Sequence, residues 1–338
     1  MEFTNSFRSG RISRRKFIGT TAALGGIAIL PGGLLSCNGS SSSGKPNSKF
    51  GGVQIGVQTY SFRSMPFSAE EILGYLLDCG LNTCEMMADP MEQFAGIPRY
   101  QGPSYPRGTE LTDQQKSELD AAQSEFAKEL RSWRSSVSMD KFKEMRKMYN
   151  SAGVDIHLAR LGSPTWSDEE IDYAFKVADT LGANGVKWEL SLEAVQRLAP
   201  FCEKYKMKAN LHNHYQVAEP GFSYDTYLAY SDRLMINFDV GHYVGSLGKH
   251  PNEIIEKYHD RIVAIQIKDK TGPDTDPPNT NLPYGQGDTP LADILLLIKK
   301  EKWPLIVDIE LEHKIPEGSN AVMEVKKCIE YCKNILLA

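Results

Sequence analysis

The fold is decided by residues 185–212, which read GVKWELSLEAVQRLAPFCEKYKMKANLH. Residues 185–189 form a short, mostly apolar run that is typical of a buried strand, and a helical pattern begins near Ser191. A second run at 207–212 predicts another strand. Two strands joined by a helix indicate a parallel βαβ unit, because parallel neighbours need a crossover connection.

The same alternation continues on both sides of this unit. It predicts eight strands, at residues 53–58, 81–85, 154–158, 185–189, 207–212, 234–239, 262–267 and 305–310. Most of the helical patterns between them begin with Ser, Asp or Pro, as helix N-termini commonly do. Eight such units predict an α/β fold, a single (β/α)8 TIM barrel, for which about 250 residues are typical.

The spacing of the predicted strands indicates two insertions. Most successive strand ends lie 23–31 residues apart, but 73 residues separate Glu85 from Leu158 and 44 separate Gln266 from Glu310. The longer gap contains a polar insertion at about 89–137, after the second strand, with a charged helical pattern over residues 110–133. The second insertion covers residues 271–288. Both follow a strand and therefore lie on the C-terminal face of the barrel.

The first 49 residues have a different chemistry. Residues 13–18, SRRKFI, form a twin-arginine sequence, and residues 34–37, LLSC, resemble the lipobox of bacterial lipoproteins. We expect an export signal at 1–36, a lipid on Cys37, a Ser-rich tether at 37–49 and the barrel domain at 50–338. The protein would then be periplasmic or membrane-anchored in a bacterium. A short N-terminal helix of the fold is the alternative, which the paired arginines disfavour.

The net charge of the chain limits the kind of binding partner that we expect. The 338 residues include 43 acidic and 38 basic side chains, a formal charge of −5. Five basic residues and only one acidic residue lie in segment 1–36, so the remainder is more acidic still. An acidic surface opposes a nucleic acid, and no Walker or Rossmann glycine motif is present. We expect a small-molecule partner, and membrane contact only through the lipid.

Polar residues stand at or just after the predicted strand ends. They are Glu85, Arg160, Glu189, His212 with His214, Asp239 with His242, Gln266 with Lys268 and Asp269, and Glu310 with Glu312. In a parallel barrel these side chains meet at one rim, where catalytic groups cluster. Buried carboxylates need a cation, and a mixed set of Asp, Glu, His and Gln suits Mn²⁺, Mg²⁺, Zn²⁺ or Co²⁺.

Three of these residues also have a structural interpretation. Asp239 could cap a following helix, and Glu189 could be the ion-pair partner of Lys187 or Lys268. His212 could be a hydrogen-bonded core histidine. The sequence leaves these alternatives open.

Several motifs resemble the sugar phosphate isomerase/epimerase family of xylose isomerase-like TIM barrels. They are IGVQTYSF at 55–62, FDVGH at 238–242, IQIKD at 265–269 and GQGD at 285–288. The resemblance implies one divalent metal ion, with ligands at Asp239, Gln266 and Glu310. Where epimerases of the family have a Glu that is both ligand and base, this chain has His212. An imidazole can still bind metal, and Glu189 would supply the missing carboxylate.

The reaction implied by the resemblance is proton abstraction beside a carbonyl, through a metal-stabilised enediolate. Glu310 and Glu189 would be acid and base, and His242 and Lys268 would donate to the oxyanion. Tyr60, Arg160 and His214 would bind hydroxyls. Export favours a non-phosphorylated sugar or keto-sugar as the substrate of this isomerase or epimerase. The alternatives are a lyase or hydratase acting on 3-keto-glycosides by β-elimination, and a non-catalytic sugar-binding lipoprotein.

Overall fold

The computed structural model describes residues 44–106 and 108–338, so the predicted signal, Cys37 and the first part of the tether lie outside the described residues. The strands are β1 (Lys49–Phe50), β2 (Val53–Gln58), β3 (Thr83–Met87), β4 (Asp155–Arg160), β5 (Gly185–Glu189), β6 (Lys208–His212), β7 (Leu234–Asp239), β8 (Ile262–Ile267), β9 (Asp269–Lys270), β10 (Asn281–Leu282) and β11 (Ile306–Ile309). The helices are α1 (Ala69–Cys79), α2 (Ala88–Ala95), α3 (Asp113–Ser136), α4 (Asp140–Ala152), α5 (Asp168–Leu181), α6 (Leu192–Tyr205), α7 (Tyr224–Leu228), α8 (Val240–Leu247), α9 (Asn252–Tyr258), α10 (Leu291–Glu301) and α11 (Ala321–Leu337). Single 3₁₀ turns lie at Thr59–Phe62 and Tyr215–Ala218. No helix in the described ranges has the length and apolar character needed to cross a bilayer.

Eight strands close into a parallel barrel. They follow one another as β2, β3, β4, β5, β6, β7, β8 and β11, and β11 pairs back with β2. The register sets Glu189 beside His212 and Asp239 beside Gln266, so the polar strand ends meet at one rim. The predicted single (β/α)8 barrel is therefore confirmed.

Capping groups fix where the helices begin. The Ser68 hydroxyl accepts from the backbone N–H of Glu71, whose side chain accepts in return from the Ser68 N–H, and Ser167 and Glu170 repeat this arrangement at α5. Such reciprocal capping satisfies two donors that a helix start otherwise leaves free. The buried faces of the helices then pack against the apolar side chains that the strands turn outward.

The observed boundaries of strands and helices differ from the predicted ones where a strand has no polar residue at its end or is followed at once by a helix. The second barrel strand is Thr83–Met87, so Glu85 lies inside it and not at its end. Helix α2, which begins at the residue after β3, is absent from the prediction, whereas α8 is the helix that Asp239 was considered able to cap. At the other end of the domain, the Ser48 backbone N–H already donates to Asn82 Oδ1 (3.0 Å), and β1 pairs with β2.

The segment between β3 and α4 contains helices α2 and α3, and Arg134 and Trp133 attach α3 to the outer layer. Helix α3 spans 24 residues, none of them buried. Near its C-terminal end Arg134 donates to Glu92 Oε1 (2.8 Å) and Glu170 Oε1 (2.9 Å). The same guanidinium lies 4.2 Å from the ring centroid of Trp166. The segment is therefore held against α2 and α5 at this end.

Several buried polar side chains of the barrel strands are bonded to one another. Lys187 Nζ lies 2.7 Å from Glu85 Oε1, and both side chains are buried. The amides of Asn237 (2.9 Å) and Gln266 (3.2 Å) also donate to Glu85. A separate buried pair joins His157 Nε2 to Asp308 Oδ2 (2.9 Å). These contacts hold the strands whose ends carry the candidate site.

Candidate active site

The Lys268 ammonium lies in the middle of the candidate site. Its Nζ lies 2.9 Å from Asp239 Oδ2, 2.7 Å from Glu310 Oε2 and 2.7 Å from Glu312 Oε2. Burial opposes the charge, but Asp239, Glu310 and Glu312 outweigh it, and the pKa of Lys268 is raised. Lys268 is thus a charged group that three carboxylates share. Glu312, which received no role from the sequence, belongs to this cluster.

Asp239 caps a helix and also lies in the candidate site. Its Oδ1 accepts from the His242 backbone N–H (2.8 Å) and caps α8. Its backbone is fixed by Asn213, whose side chain accepts from the Asp239 N–H (2.9 Å) and donates to the Asp239 carbonyl (3.0 Å). The second carboxylate oxygen, Oδ2, is left to face Lys268. Helix capping and a place in the site are therefore compatible.

Three histidines gather beside this carboxylate. A ring nitrogen from each of His212, His214 and His242 lies within 4.8 Å of the other two. His212 Nδ1 faces Asn237 Oδ1 (3.2 Å), which leaves Nε2 to point toward Asp239 Oδ2, 4.0 Å away. Holding one ring nitrogen in this way orients the other for a ligand.

Burial keeps two of these histidines neutral. It lowers the pKa of His212 well below its ordinary value, helped by the charge of Lys187 and by His214. Burial, followed by the charge of Lys268, also lowers the pKa of His242 to about 2. A neutral imidazole is the form that binds metal.

Three buried oxygens in this cluster have no hydrogen-bond donor among the described residues. They are Asp239 Oδ2, Gln266 Oε1 and Glu310 Oε2. Lys268 Nζ lies 2.9 Å from the first and 2.7 Å from the third and supplies positive charge to both, so only Gln266 Oε1 is left with neither a donor nor an ion pair in the described part of the chain. The Gln266 amide is turned by its bonds to Glu85. A buried acceptor without a donor costs about 1–3 kcal/mol, which a cation would offset.

These three oxygens and His212 Nε2 are donor types that suit a divalent cation, but Lys268 Nζ contacts two of the oxygens. Among the described residues, the side chains whose donor atoms all lie within 4.8 Å of one another are His212, His214 and His242. Mixed oxygen and nitrogen donors suit Mn²⁺, Mg²⁺, Zn²⁺ or Co²⁺. Asn237 and Glu85 would then support the ligands His212 and Gln266 from behind, as outer partners of metal sites do. The four residues that the sequence indicated as ligands therefore supply suitable donor atoms.

Glu189 forms a second group with two of the predicted substrate-binding residues. Arg160 donates to its Oε1 (2.8 Å), and His214 Nε2 lies 2.8 Å from its Oε2. Burial raises the pKa of Glu189, but His214 and Arg160 outweigh it and lower the pKa to about 2. The Glu189 side chain is 36% exposed, so its carboxylate remains within reach of a substrate.

Tyr60 is less closely tied to the cluster. It lies in the 3₁₀ turn after β2, where the Arg63 guanidinium is 4.2 Å from its ring centroid. Arg63 also donates to the Leu311 carbonyl (2.8 Å), between Glu310 and Glu312 in the chain. No described hydrogen bond or ion pair joins the Tyr60 side chain to the other predicted site residues.

Lys270, which the sequence did not single out, also lies beside the histidines. Its Nζ is 6.0 Å from the ring centroid of Tyr215, and its charge contributes to the low pKa of His242. The available signal was its place two residues after Lys268, because alternate residues of an extended strand share a face.

A cavity of about 630 Å³ between α3, α5 and α6, lined by Tyr173 and Phe201 among others, lies in the outer layer and includes none of the site residues.

Comparison with known proteins gives one family and a set of similar folds. Residues 76–334 match the family model described as xylose isomerase-like TIM barrel. An uncharacterised protein from Parabacteroides distasonis ATCC 8503 is 20% identical, with a TM-score of 0.54 over 84% of this chain and 99% of its own. The probable 3-DHS dehydratase AsbF from Bacillus anthracis is 13% identical, with a TM-score of 0.53 over 82% and 99%. D-psicose 3-epimerase, crystallised with D-fructose, is 10% identical, with a TM-score of 0.51 over 85% and 100%. At these identities the likeness shows the fold, and no curated protein sequence matches the chain.

Proposed function

Because the chain belongs to the family of xylose isomerase-like TIM barrels, we propose that it is a metal-dependent isomerase or epimerase of a non-phosphorylated sugar or keto-sugar. The reaction would abstract a proton next to a carbonyl and pass through an enediolate. One observation carries the proposal: Asp239, Gln266 and Glu310 each direct a buried oxygen into the site beside the neutral imidazole of His212. The fold of D-psicose 3-epimerase gives further support.

The metal site would be formed by His212, Asp239, Gln266 and Glu310. When bound, a divalent cation would polarise the substrate carbonyl and stabilise negative charge on its oxygen. Lys268 holds Asp239 and Glu310 in place through its ion pairs (2.9 and 2.7 Å). His242 and Lys268 would donate to the developing oxyanion.

Glu189 would take the proton from the substrate. With a pKa of about 2 it is ionised but weakly basic, since Arg160 and His214 stabilise the carboxylate. Substrate hydroxyls that engage Arg160 and His214 would weaken this stabilisation and raise the pKa of Glu189 toward the range of an effective base. Glu310 would return the proton, and Tyr60 would contact a further hydroxyl.

The second candidate is a lyase or hydratase acting on 3-keto-glycosides. The same enediolate can expel a β-substituent, and the fold of a probable dehydratase favours this candidate. It uses the same residues up to the enediolate, so the two candidates differ only in whether a bond to the aglycone breaks. Product analysis therefore separates them.

The test is solvent proton exchange by the purified protein, loaded with Mn²⁺, Zn²⁺, Co²⁺ or Mg²⁺, on keto-sugars and 3-keto-glycosides in ²H₂O. We expect exchange beside the carbonyl, and a loss of about 100-fold or more with Asp239→Asn. The control is Asp225→Asn, which removes an exposed carboxylate paired with Lys257 (2.8 Å). Release of an aglycone would favour the lyase, binding without exchange would favour a sugar-binding protein, and full activity without metal would refute both enzymatic proposals.

We also propose export and lipid anchoring. The twin-arginine sequence at 13–18 and the lipobox-like LLSC at 34–37 support this, and both lie outside the described residues. Mass spectrometry of the mature N-terminal peptide should find an acylated Cys37, and Cys37→Ser should move the protein from the membrane to the soluble fraction. An unacylated peptide would contradict the proposal.

A further inference from the structure

Lys270 is a buried lysine whose backbone is fixed next to the candidate site. Its side chain is 2% exposed. The Lys270 N–H donates to Thr289 Oγ1 (3.1 Å), and its carbonyl accepts from the Asp288 N–H (2.8 Å). Strand β9 also pairs with β10, with Lys270 opposite Asn281. The side chain therefore projects from a backbone with little freedom to move it.

The Lys270 ammonium has no partner among residues 44–106 and 108–338. No hydrogen bond or ion pair of the described residues involves its Nζ, whereas Lys187 is paired with Glu85 (2.7 Å) and Lys268 with three carboxylates. Desolvation of an ammonium that forms no ion pair of its own is unfavourable. Proteins retain such groups mainly at functional sites.

The surroundings of Lys270 place it at the same opening as the histidines. Its Nζ is 6.0 Å from the centroid of the Tyr215 ring, which itself lies 5.4 Å from the ring of His242. Its Cε passes along α8, where a Cβ built on Gly245 would be 3.4 Å away. The lysine therefore runs beside α8 toward the side of the site lined by Tyr215 and His242.

Burial and the neighbouring Lys268 lower the pKa of Lys270, and the more distant charges of Asp239, Glu312 and Glu310 offset only part of this effect. The carboxylates that could have neutralised it, Asp239, Glu310 and Glu312, are turned toward Lys268 instead. A ligand that brings its own negative charge would relieve both the desolvation and the repulsion from Lys268. A neutral sugar hydroxyl would relieve neither fully.

We propose that Lys270 binds a carboxylate of the substrate, and that the substrate is therefore an acidic sugar, such as a uronate. This inference rests on the proposed function, since it names the substrate class of the same site. Lys270 is here a binding residue and takes no part in the proton transfer. Its role is to orient the acid end of the substrate on the Tyr215 side of the opening.

The experiment compares D-glucuronate with D-glucose, which differ only by the carboxylate at C6, by calorimetry and by thermal shift on the full chain. A hydrogen bond to a charged partner corresponds to about tenfold or more in affinity, so we expect the acid to bind at least about tenfold tighter than the neutral sugar. Lys270→Met should abolish the difference and Lys270→Arg should keep part of it. The exposed Lys249→Met serves as control and should change neither affinity.

The stability of Lys270→Met distinguishes a binding role of Lys270 from a purely structural one, because the two roles predict opposite changes in Tm. Removing an unpaired buried charge should raise the Tm of the free Lys270→Met variant, whereas loss of a structural lysine would lower it. Equal affinity for acid and neutral sugar in the wild type, including no binding of either, would overturn the proposal, as would a preference that survives Lys270→Met. Proton exchange on a neutral keto-sugar with no preference for acids would overturn this inference alone and leave the proposed function standing.

Discussion

Replacing Lys187 by methionine should strongly destabilise the barrel. Lys187 and Glu85 form an ion pair of 2.7 Å, with side chains 1% and 0% exposed. Methionine fills much of the volume of the lysine stem but removes the ammonium. Glu85 would keep only the amide donors of Asn237 (2.9 Å) and Gln266 (3.2 Å).

Breaking a buried pair on one side costs about 3–5 kcal/mol, because the remaining charge is left uncompensated. Burial already raises the pKa of Glu85, and Lys187 is the main group opposing that rise. Without Lys187 the pKa of Glu85 rises further, so the folded state favours the protonated form more than the unfolded state does. The loss of stability should therefore be largest at neutral pH and should shrink as the pH falls through the raised pKa.

Urea unfolding followed by circular dichroism measures the effect, at pH 7 and at pH 5. The double variant Lys187→Met with Glu85→Gln should recover most of the loss, since no buried charge remains. Lys176→Met makes the same substitution in an exposed pair with Asp172 (2.7 Å) and should change stability by less than about 1 kcal/mol. A loss below about 1 kcal/mol for Lys187→Met, or no recovery in the double variant, would refute the reasoning.

Two further predictions concern the pH response and a loop. His214 and Arg160 outweigh burial and lower the pKa of Glu189 from 4.5 to about 2, so this carboxylate stabilises the fold above pH 4.5, and the contribution is lost as the pH falls toward 2. Glu189→Gln should flatten this part of a plot of Tm against pH, and an unchanged slope would contradict the assignment. Gly287→Ala would bring a Cβ to 2.3 Å from Asp269 Oδ1, displacing the carboxylate that accepts from the N–H groups of Gly285 and Gly287 (2.8 and 3.0 Å). Hydrogen exchange in the 283–289 loop should rise, whereas Gly74→Ala, with open space around it in α1, should leave exchange in this loop unchanged.

The sequence predicts the barrel well because buried parallel strands are short, apolar and regularly spaced. The runs at 185–189, 234–239 and 262–267 coincide with β5, β7 and β8. The second strand was placed two residues early because a polar Glu85 resembles a strand end, whereas Met86 and Met87 continue the strand. Alternation along a strand determines which face a residue occupies, but not where the neighbouring strand stops.

The site was predictable as a set of residues and less so as a set of contacts. His212, Asp239, Gln266 and Glu310 were indicated by their places at strand ends. That one ammonium, Lys268, would contact Asp239, Glu310 and Glu312 at once depends on distances across three loops, which sequence spacing does not give. Whether Lys270 Nζ has a hydrogen-bond or ion-pair partner among the described residues depends on the same distances.

Helix α3 differs from the barrel core in how much of its surface is buried. A helix of 24 residues extends roughly 36 Å, yet none of its residues is buried. The Arg134 guanidinium, bonded to Glu92 and Glu170, helps to attach the C-terminal end of α3 to the barrel. Substitutions at the exposed positions of α3 should therefore leave the core undisturbed, provided that Arg134, its two acidic partners and the contact of Trp133 with Tyr173 are kept.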